Sequence, residues 1–319
     1  MKRATSIALA VLAALAVGLP PCARAEESGS GHYLPGAAAS FIDALPGRSG
    51  LAVANYFTFY DASAGRSRQL PFGGLIAAGV DATVYADTVA LVYQTPLRLL
   101  GGSYAVALAI PYVWVEVKGT VATGARTRTV RDTADGIGDI TLYPFMLGWS
   151  SLGGDLKSDV RLGIYAPTGD FEKGKLANAG KSYWTFEPGA SVSYLSSKIG
   201  LEVSAFAGLD FNTENDDTNY RTGTQFHLDL TVAQHLPLLG SVIGAGANAF
   251  FYQQVTGDSG AGARLGDFKG RTVGIGPVLS YATKIGGKDL VAEVKWLPEL
   301  TVEKRLKGDY VWFKLAFLF

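Results

Sequence analysis

The stretch Asp309-Tyr-Val-Trp-Phe-Lys-Leu-Ala-Phe-Leu-Phe319 decides the fold. Every second residue from Phe319 back to Val311 is apolar, and a period of two is the spacing of side chains on one side of a β-strand. The opposite face is mixed and carries Lys314. A strand that turns its apolar face to lipid and its mixed face to a hydrated lumen has this pattern. The stretch therefore predicts a membrane-spanning β-strand that ends on an aromatic residue. Its apolar face consists of Val311, Phe313, Leu315, Phe317 and Phe319.

The same alternation recurs upstream. In one segment Leu201 and Val203 alternate with Glu202, and in another Val80 alternates with Asp81. In both segments the apolar residues are predicted to face lipid and the charged residue the lumen. Charged groups on the second face would not suit the dry core of a sandwich. Twelve strand segments are predicted, near residues 50–60, 79–94, 103–118, 136–149, 158–167, 182–194, 200–213, 222–236, 241–256, 271–283, 289–297 and 309–319.

The connections between these segments alternate in length. The even-numbered ones are compact, such as Pro237 to Gly240, whereas most odd-numbered ones are longer and more polar, such as Gly257 to Gly270. Short periplasmic turns and long outer loops are typical of outer-membrane barrels. Residues 50–319 are therefore predicted to form a single transmembrane antiparallel β-barrel of about 12 strands, all-β, with both termini periplasmic, in the outer membrane of a Gram-negative bacterium. The alternative is a soluble periplasmic β-sandwich or lipocalin-like protein.

The first 25 residues predict a secretory signal peptide. Lys2 and Arg3 precede an apolar run, and Ala23-Arg24-Ala25 provides small residues for cleavage before Glu26. The chain's one cysteine, Cys22, lies inside this segment, so no disulfide is expected after cleavage. Residues 26–49 precede the first strand, and the sequence leaves open whether they form a periplasmic arm or a plug in the lumen.

Composition argues against nucleic-acid binding. The predicted signal removes Lys2, Arg3 and Arg24, which leaves 25 basic residues against 28 acidic ones. The 40 glycines and a mean hydropathy of +0.18 are unusual for a soluble enzyme of this length. The chain after residue 25 contains no run that qualifies as a spanning helix, because the best candidate, 99–115, is interrupted by Gly101-Gly102 and Pro111.

The strand faces assigned to the lumen mix carboxylates with bases, which does not indicate strong selectivity for anions or cations. Lys314 belongs to this face as well. These faces supply the residues predicted to line the lumen or the solute path, which are Asp81, Asp139, Arg161, Glu187, Glu202, Asp210, His227, Asp229, Glu293 and Lys295.

Catalytic, cofactor and metal sites are not predicted. His32, His227 and His235 show none of the close spacings of a zinc motif. A lipid-modifying barrel enzyme would need a nucleophile held beside a base, but the residue that follows His227 on the same strand face is Asp229, not a serine. This class of function is therefore disfavoured.

Ordered motifs carry a family resemblance over most of the chain. They are Gly136-Ile-Gly-Asp139 with Tyr143-Pro144, Tyr165-Ala-Pro-Thr-Gly-Asp170, Tyr183-Trp-Thr-Phe-Glu-Pro188, Thr218-Asn-Tyr-Arg-Thr-Gly223, Gln253-Gln-Val-Thr-Gly-Asp258 and Gly274-Ile-Gly-Pro277. In these the chain resembles the family described as proteins of the meta-pathway of phenol degradation, which are outer-membrane, transporter-like barrels.

The barrel pattern and this resemblance together imply an outer-membrane channel for passive uptake of small hydrophobic or aromatic solutes. The alternative is a structural or surface-interaction barrel that transports nothing. The expected partners are outer-membrane lipid and lipopolysaccharide, small hydrophobic solutes, and the barrel-assembly machinery, which would read Phe319.

Overall fold

The computed structural model describes residues 27–47, 49–123, 126–266 and 269–319, so the predicted signal peptide lies outside the described residues. Three short 3-10 turns, Glu27–Gly29, Phe41–Asp43 and Leu152–Gly154, accompany the strands. No helix among the described residues is long and apolar enough to cross a membrane. The strands are β1 (Gly50–Phe72), β2 (Leu75–Leu99), β3 (Gly102–Thr123), β4 (Arg126–Ile137), β5 (Ile140–Ser151), β6 (Leu156–Ala166), β7 (Thr185–Leu195), β8 (Leu201–Asn212), β9 (Gln225–Leu238), β10 (Ser241–Gln254), β11 (Arg271–Ile285), β12 (Lys288–Glu303) and β13 (Lys307–Leu318).

The strands form one closed antiparallel barrel. Strands that are neighbours in the chain pair with each other, except that β5 pairs with β3 instead of β4. β1 closes the circle on β13 in a register that sets Ala52 opposite Leu318 and Ser63 opposite Lys307. Closure leaves the barrel strands without free edges, as a membrane requires. The predicted twelve-stranded, all-β barrel is confirmed, with one extra strand.

The extra strand results from a break in the predicted fourth segment. β3 pairs with β5 along residues 103–109 and with β4 along residues 112–123, and the chain leaves the ladder at Gly138 and Asp139 between them. The backbone amide of Gly138 donates instead to the carbonyl of Pro111, at 2.9 Å. The break places the Asp139 carboxylate inside the barrel.

Among the odd-numbered connections, most of which the sequence predicts to be long, two are largely replaced by extensions of the flanking strands. β1 continues to Phe72 and turns at Gly73 and Gly74, both with positive φ, directly into β2. In the same way, β3 continues to Thr123 and pairs there with the start of β4 at Arg126. Polar composition predicts water contact but does not distinguish a loop from a strand that projects into water. The connection 167–184 is a long loop, as expected, and the described residues of 255–270 belong to no strand.

The two ends of the barrel therefore differ. We call the end that carries Gly50 and the short turns at 100–101, 152–155, 196–200, 239–240 and 286–287 the turn end, and the opposite end the loop end. Inside the loop end, buried apolar side chains pack into a core that includes Phe72, Leu176, Leu297, Leu306 and Trp312. The barrel interior is thus partly filled by its own side chains.

The outer surface is apolar along most strands. The last strand behaves as its alternation predicts, because Phe313 is 42% exposed whereas Trp312 and Lys314 are buried. β8 follows the same rule, with Val203 exposed and Glu202 buried. An apolar band on the outside of a closed barrel is the surface that a lipid bilayer covers.

Candidate functional site

The interior of the barrel holds residues 27–47, which we call the arm. At the loop end, Glu27 accepts hydrogen bonds from Asn215 Nδ2 at 3.2 Å and Thr218 Oγ1 at 3.4 Å. At the turn end, the arm packs closely against Gly148 of the inner wall. A Cβ atom added to Gly148 would lie 2.9 Å from the backbone nitrogen of Pro46. The arm therefore passes through the lumen from the loop end to the turn end before it enters β1.

Asp229 of β9 is the main acceptor for the middle of the arm. Its carboxylate accepts hydrogen bonds from the Tyr33 hydroxyl and from the backbone amides of Gly36 at 3.2 Å and Ala38 at 3.1 Å. Asp229 has no exposed surface. Hydrogen bonds to a charged acceptor are stronger than neutral ones, so this carboxylate fixes the path of the arm.

Lys295 of β12 holds the same stretch of the arm from another side. Its ammonium group donates to the carbonyls of Gly36 at 3.1 Å and Ala38 at 3.0 Å, and it pairs with Glu293 at 3.3 Å. The arm backbone thus offers amides to Asp229 and carbonyls to Lys295. The two buried charges satisfy backbone groups that have left water.

The turn-end half of the arm is held by further pairs. Glu202 accepts from the Phe41 amide at 2.7 Å and lies 2.7 Å from His235 Nε2. Lys314 pairs with Asp43 of the arm at 2.8 Å and lies 3.4 Å from Glu293.

At the loop-end half, His32 of the arm connects two strands. Its Nε2 lies 2.8 Å from Asp139 and its Nδ1 lies 2.6 Å from the Thr185 hydroxyl. Burial lowers the pKa of His32 below 6.5, although Asp139 acts in the opposite direction. Burial also raises the pKa of Glu27 above 4.5, which its hydrogen bonds to Thr218 and Asn215 partly offset.

Beside the arm lies a cavity of about 380 Å³, which we call the apolar cavity. One side of it is formed by the arm and the other by alanine and valine side chains of β2 and β3. Polar and charged side chains border it as well, among them Thr88, Thr141 and Arg161 on the strands and His32 and Asp43 in the arm. Its apolar wall includes Ala82, Val84, Ala86, Ala90 and Val92 of β2, and Ala107, Ala109, Val113, Val115 and Val117 of β3.

This wall corrects the predicted orientation of β2. Val80 has no exposed surface and Ala82 is 5% exposed, whereas Asp81 lies on the outer face, so Asp81 does not point into the lumen. The register sets Asp81 opposite Lys118, which is also exposed and offers an opposite charge. Small side chains face inward here because the arm already occupies the lumen, while Val89, Leu91 and Tyr93 form the outer face near the turn end.

The other nine predicted residues lie in the interior, but most of them contact the arm or one another rather than open space. Only Asp139 and Arg161 border the apolar cavity. Arg161 pairs with Asp159 at 2.7 Å and donates to the carbonyl of Asp43 in the arm at 3.3 Å. The buried set comprises Asp139, Arg161, Glu187, Glu202, Asp210, His227, Asp229, Glu293 and Lys295.

Sequence reasoning missed the residues that line the apolar cavity. The signal was present in the small side chains at every second position of β2 and β3, such as Ala82, Ala86 and Ala90. Lipid-facing positions favour larger groups, so a face of alanines beside a face with Tyr85, Leu91 and Tyr93 indicates the inner one.

The chain is similar to several solved structures, the first of which supports the same fold. The chain is similar to the COG4313 outer membrane channel from Pseudomonas putida F1, with 12% identity, a TM-score of 0.59, and coverage of 86% of this chain and 97% of that one. It also matches the beta domain of the Bordetella autotransporter BrkA, with 14% identity, a TM-score of 0.45, and coverage of 85% and 100%. A third match is the transport unit of the autotransporter AIDA-I from Escherichia coli, with 10% identity, a TM-score of 0.49, and coverage of 85% and 90%.

No curated protein matches the sequence. A closed barrel with an apolar outer band and an interior cavity is the fold of an outer-membrane channel and places the chain among the lipids of a Gram-negative outer membrane. A family model described as "Putative MetA-pathway of phenol degradation" matches residues 61–315. The chain therefore belongs to this family, as the ordered motifs of its loops and strand ends indicated.

Proposed function

We propose that the protein is a passive channel for small hydrophobic or aromatic solutes, which pass through the apolar cavity between the arm and the wall of β2 and β3. The observation that supports this proposal is the chemistry of that wall. Alanine and valine side chains line it along β2 from Ala82 to Val92 and along β3 from Ala107 to Val117. A solute that leaves water for such a wall gains about 25 cal/mol per Å² of apolar surface buried.

The volume of the cavity fits the proposed solutes. A cavity of about 150 Å³ lined by apolar side chains is enough to bind benzene. The space beside the arm is about 380 Å³, which is sufficient for a substituted or bicyclic aromatic ring. The small side chains of the wall also allow movement along it, because they present no deep pocket in which a ring would be trapped.

The charged part of the lumen has a different role in this proposal. Asp229, Lys295 and Glu202 contact the backbone of the arm, so they hold it in place. Asp139 and Arg161 border the apolar cavity and remain candidates to orient a polar substituent of the solute.

A pair of neighbouring residues provides the test. Ala90 lines the apolar cavity and is 6% exposed, whereas Val89 faces outward and is 47% exposed. Ala90→Phe should obstruct the cavity and lower the uptake of a radiolabelled monocyclic aromatic hydrocarbon to the level of cells that lack the protein. Val89→Phe, on the lipid-facing side, should leave uptake unchanged. Uptake is measured in cells with an intact outer membrane at limiting solute concentration.

If wild-type protein does not raise uptake above that of cells lacking it, the chain is a barrel that does not transport such solutes, which is the alternative function. If Ala90→Phe and Val89→Phe both fold and transport like wild type, the solute path does not follow β2. Retention of the faster gel migration of the unheated barrel shows that each variant is folded.

A further inference from the structure

Three lumen-facing side chains behind the arm form a cluster that the proposed channel does not use. Glu187 comes from β7, Asp210 from β8 and His227 from β9, which are adjacent strands. Each offers one nitrogen or oxygen atom within 4.8 Å of the atoms offered by the other two. All three residues are at most 1% exposed. The three strands are consecutive in the chain, but the residues are 23 and 17 positions apart, so the short spacing of a metal motif does not reveal them.

The polar atoms of this cluster lack ordinary hydrogen bonds. Within the described part of the chain, neither oxygen of Asp210 and neither ring nitrogen of His227 has a hydrogen-bond partner. One oxygen of Glu187 is in the same state, while the other accepts from the Tyr165 hydroxyl at 2.6 Å. Buried polar groups are nearly always bonded, and an unsatisfied buried carboxylate costs several kcal/mol. These atoms are therefore available to bind a further group.

The distances leave room for such a group. His227 Nε2 lies 3.5 Å from Asp210 Oδ1 and 3.9 Å from Glu187 Oε2, which is too long for hydrogen bonds. For a tetrahedral ion with bonds of about 2.0–2.2 Å, neighbouring ligand atoms are separated by roughly 3.3–3.6 Å. The separation of 3.5 Å between His227 and Asp210 falls within this range, and the separation of 3.9 Å between His227 and Glu187 lies slightly above it.

The surrounding backbone is shaped around the histidine. A Cβ atom at Gly208 would lie 2.4 Å from Cε1 and 2.5 Å from Nε2 of His227, and 3.3 Å from Cγ of Glu187. On its other face, the His227 ring stacks on Tyr33 of the arm, with ring centroids 3.6 Å apart. Glycine on one side and tyrosine on the other thus hold the imidazole edge toward the two carboxylates.

We propose that Glu187, Asp210 and His227 bind a divalent transition-metal ion, for which Zn²⁺ is the natural probe. Imidazole and carboxylate are both zinc ligands, and three protein ligands leave one position for water. The ion offsets the charge of two buried carboxylates and joins three neighbouring strands beneath Tyr33. The site is separate from the apolar cavity, so it does not depend on the proposed solute path.

The experiment measures Zn²⁺ binding to the folded, chelator-treated barrel in detergent by titration calorimetry, with Co²⁺ absorption as a second readout of ligand geometry. Wild type should bind one ion. His227→Asn and Asp210→Asn should each weaken binding by at least about a hundredfold, since even the loss of an outer hydrogen-bond partner of a metal ligand costs about 10- to 100-fold.

His235→Asn is the matched control. His235 lies on the same strand and contacts the carboxylate of Glu202 at 2.7 Å, but it belongs to no cluster of three metal-binding side chains in the described parts of the barrel. Its substitution should leave Zn²⁺ affinity unchanged. Gly208→Ala keeps all three ligands and displaces the His227 ring, so it should weaken binding and abolish the Co²⁺ spectrum of the wild type.

Wild-type protein that binds no Zn²⁺ would overturn the proposal and would indicate a protonated His227 held between the two carboxylates. Equal affinity in wild type and His227→Asn would overturn it as well, as would a loss in His235→Asn equal to that in His227→Asn. If a ligand variant fails to fold by the gel-migration criterion, Gly208→Ala decides the question.

Discussion

At the scale of single residues, the interior of this barrel is organised by charges that bind backbone groups. Asp229 accepts from two arm amides and a tyrosine hydroxyl, and Lys295 donates to two arm carbonyls. Such charges are commonly interpreted as the lining of a hydrated pore. Here the charges of Asp229 and Lys295 bind the backbone amides and carbonyls of the arm, which would otherwise bind water because the arm pairs with no strand of the described barrel.

Asp229→Ala tests this role. Its removal leaves the amides of Gly36 and Ala38 without an acceptor, so we expect arm docking to weaken by about 1.5–3 kcal/mol, the range of a hydrogen bond to a charged group. Hydrogen exchange of the arm peptide should accelerate roughly 10- to 100-fold, because 1.4 kcal/mol corresponds to a factor of ten. Tyr33→Phe removes one of these bonds from the arm side and should have a smaller effect in the same direction.

Asp81→Ala is the control for that measurement. Asp81 lies on the outer face of β2, so its loss should leave exchange in the arm unchanged. Protection of the arm in Asp229→Ala equal to that in wild type would contradict the assigned role of Asp229.

At the scale of elements, the arm needs the barrel for its position, whereas we expect the barrel to stay folded without the arm. The barrel is held by continuous ladders between neighbouring strands and between β1 and β13. The arm, in contrast, joins no strand ladder within the described chain, and its contacts to Asp229, Glu202 and Lys314 are made by side chains that point inward from the wall.

Deletion of residues 27–45 should therefore leave a folded barrel with a wider, hydrated lumen. The charged wall that the arm covered would be exposed to water, and we expect ionic conductance in planar bilayers to rise several-fold above that of wild type. Preserved gel migration of the unheated protein serves as the folding control. Unchanged conductance in the folded deletion variant would show that the arm does not limit the passage of ions.

The sequence predicted most of these elements, and its failures have physical reasons. Alternation in β8, β9 and β13 assigned Glu202, Asp229 and Lys314 to the interior, because charge and apolarity there fall on opposite faces. In β2 the rule failed at Asp81, because both faces carry apolar residues and the inner one is distinguished by small size. The position of the arm could not be predicted, since its binding groups are spread over strands far apart in sequence.

At the scale of the whole molecule, the barrel is stable only where lipid or detergent covers its apolar outer surface. Leu228 of β9 faces outward, next to the buried His227. Leu228→Lys should lower the free energy of unfolding in lipid vesicles by about 2–4 kcal/mol if the residue lies near the bilayer midplane. The measurement is a urea titration that follows the folded fraction.

Ile199→Lys serves as the comparison, because Ile199 is 63% exposed and lies in the short turn between β7 and β8. A charge near the interface costs about 0–1 kcal/mol, so this variant should unfold almost like wild type. Equal losses in the two variants would mean that lipid does not cover the strand face at Leu228.

The arm's contacts also have a consequence for the order in which the molecule assembles. The residues that bind the arm come late in the chain. Trp312 is 277 residues from its partner Pro35 in the arm, and Lys295 is 259 residues from its partner Gly36. In an open chain, such encounters carry a loop-closure entropy that grows with the logarithm of the separation. When β1 pairs with β13, the loop-closure entropy has already been lost. The arm is joined directly to β1, so it then lies at high effective concentration beside its partners. Filling of the lumen therefore follows closure of the ring, and the late strands must be in place before the arm can reach its partners.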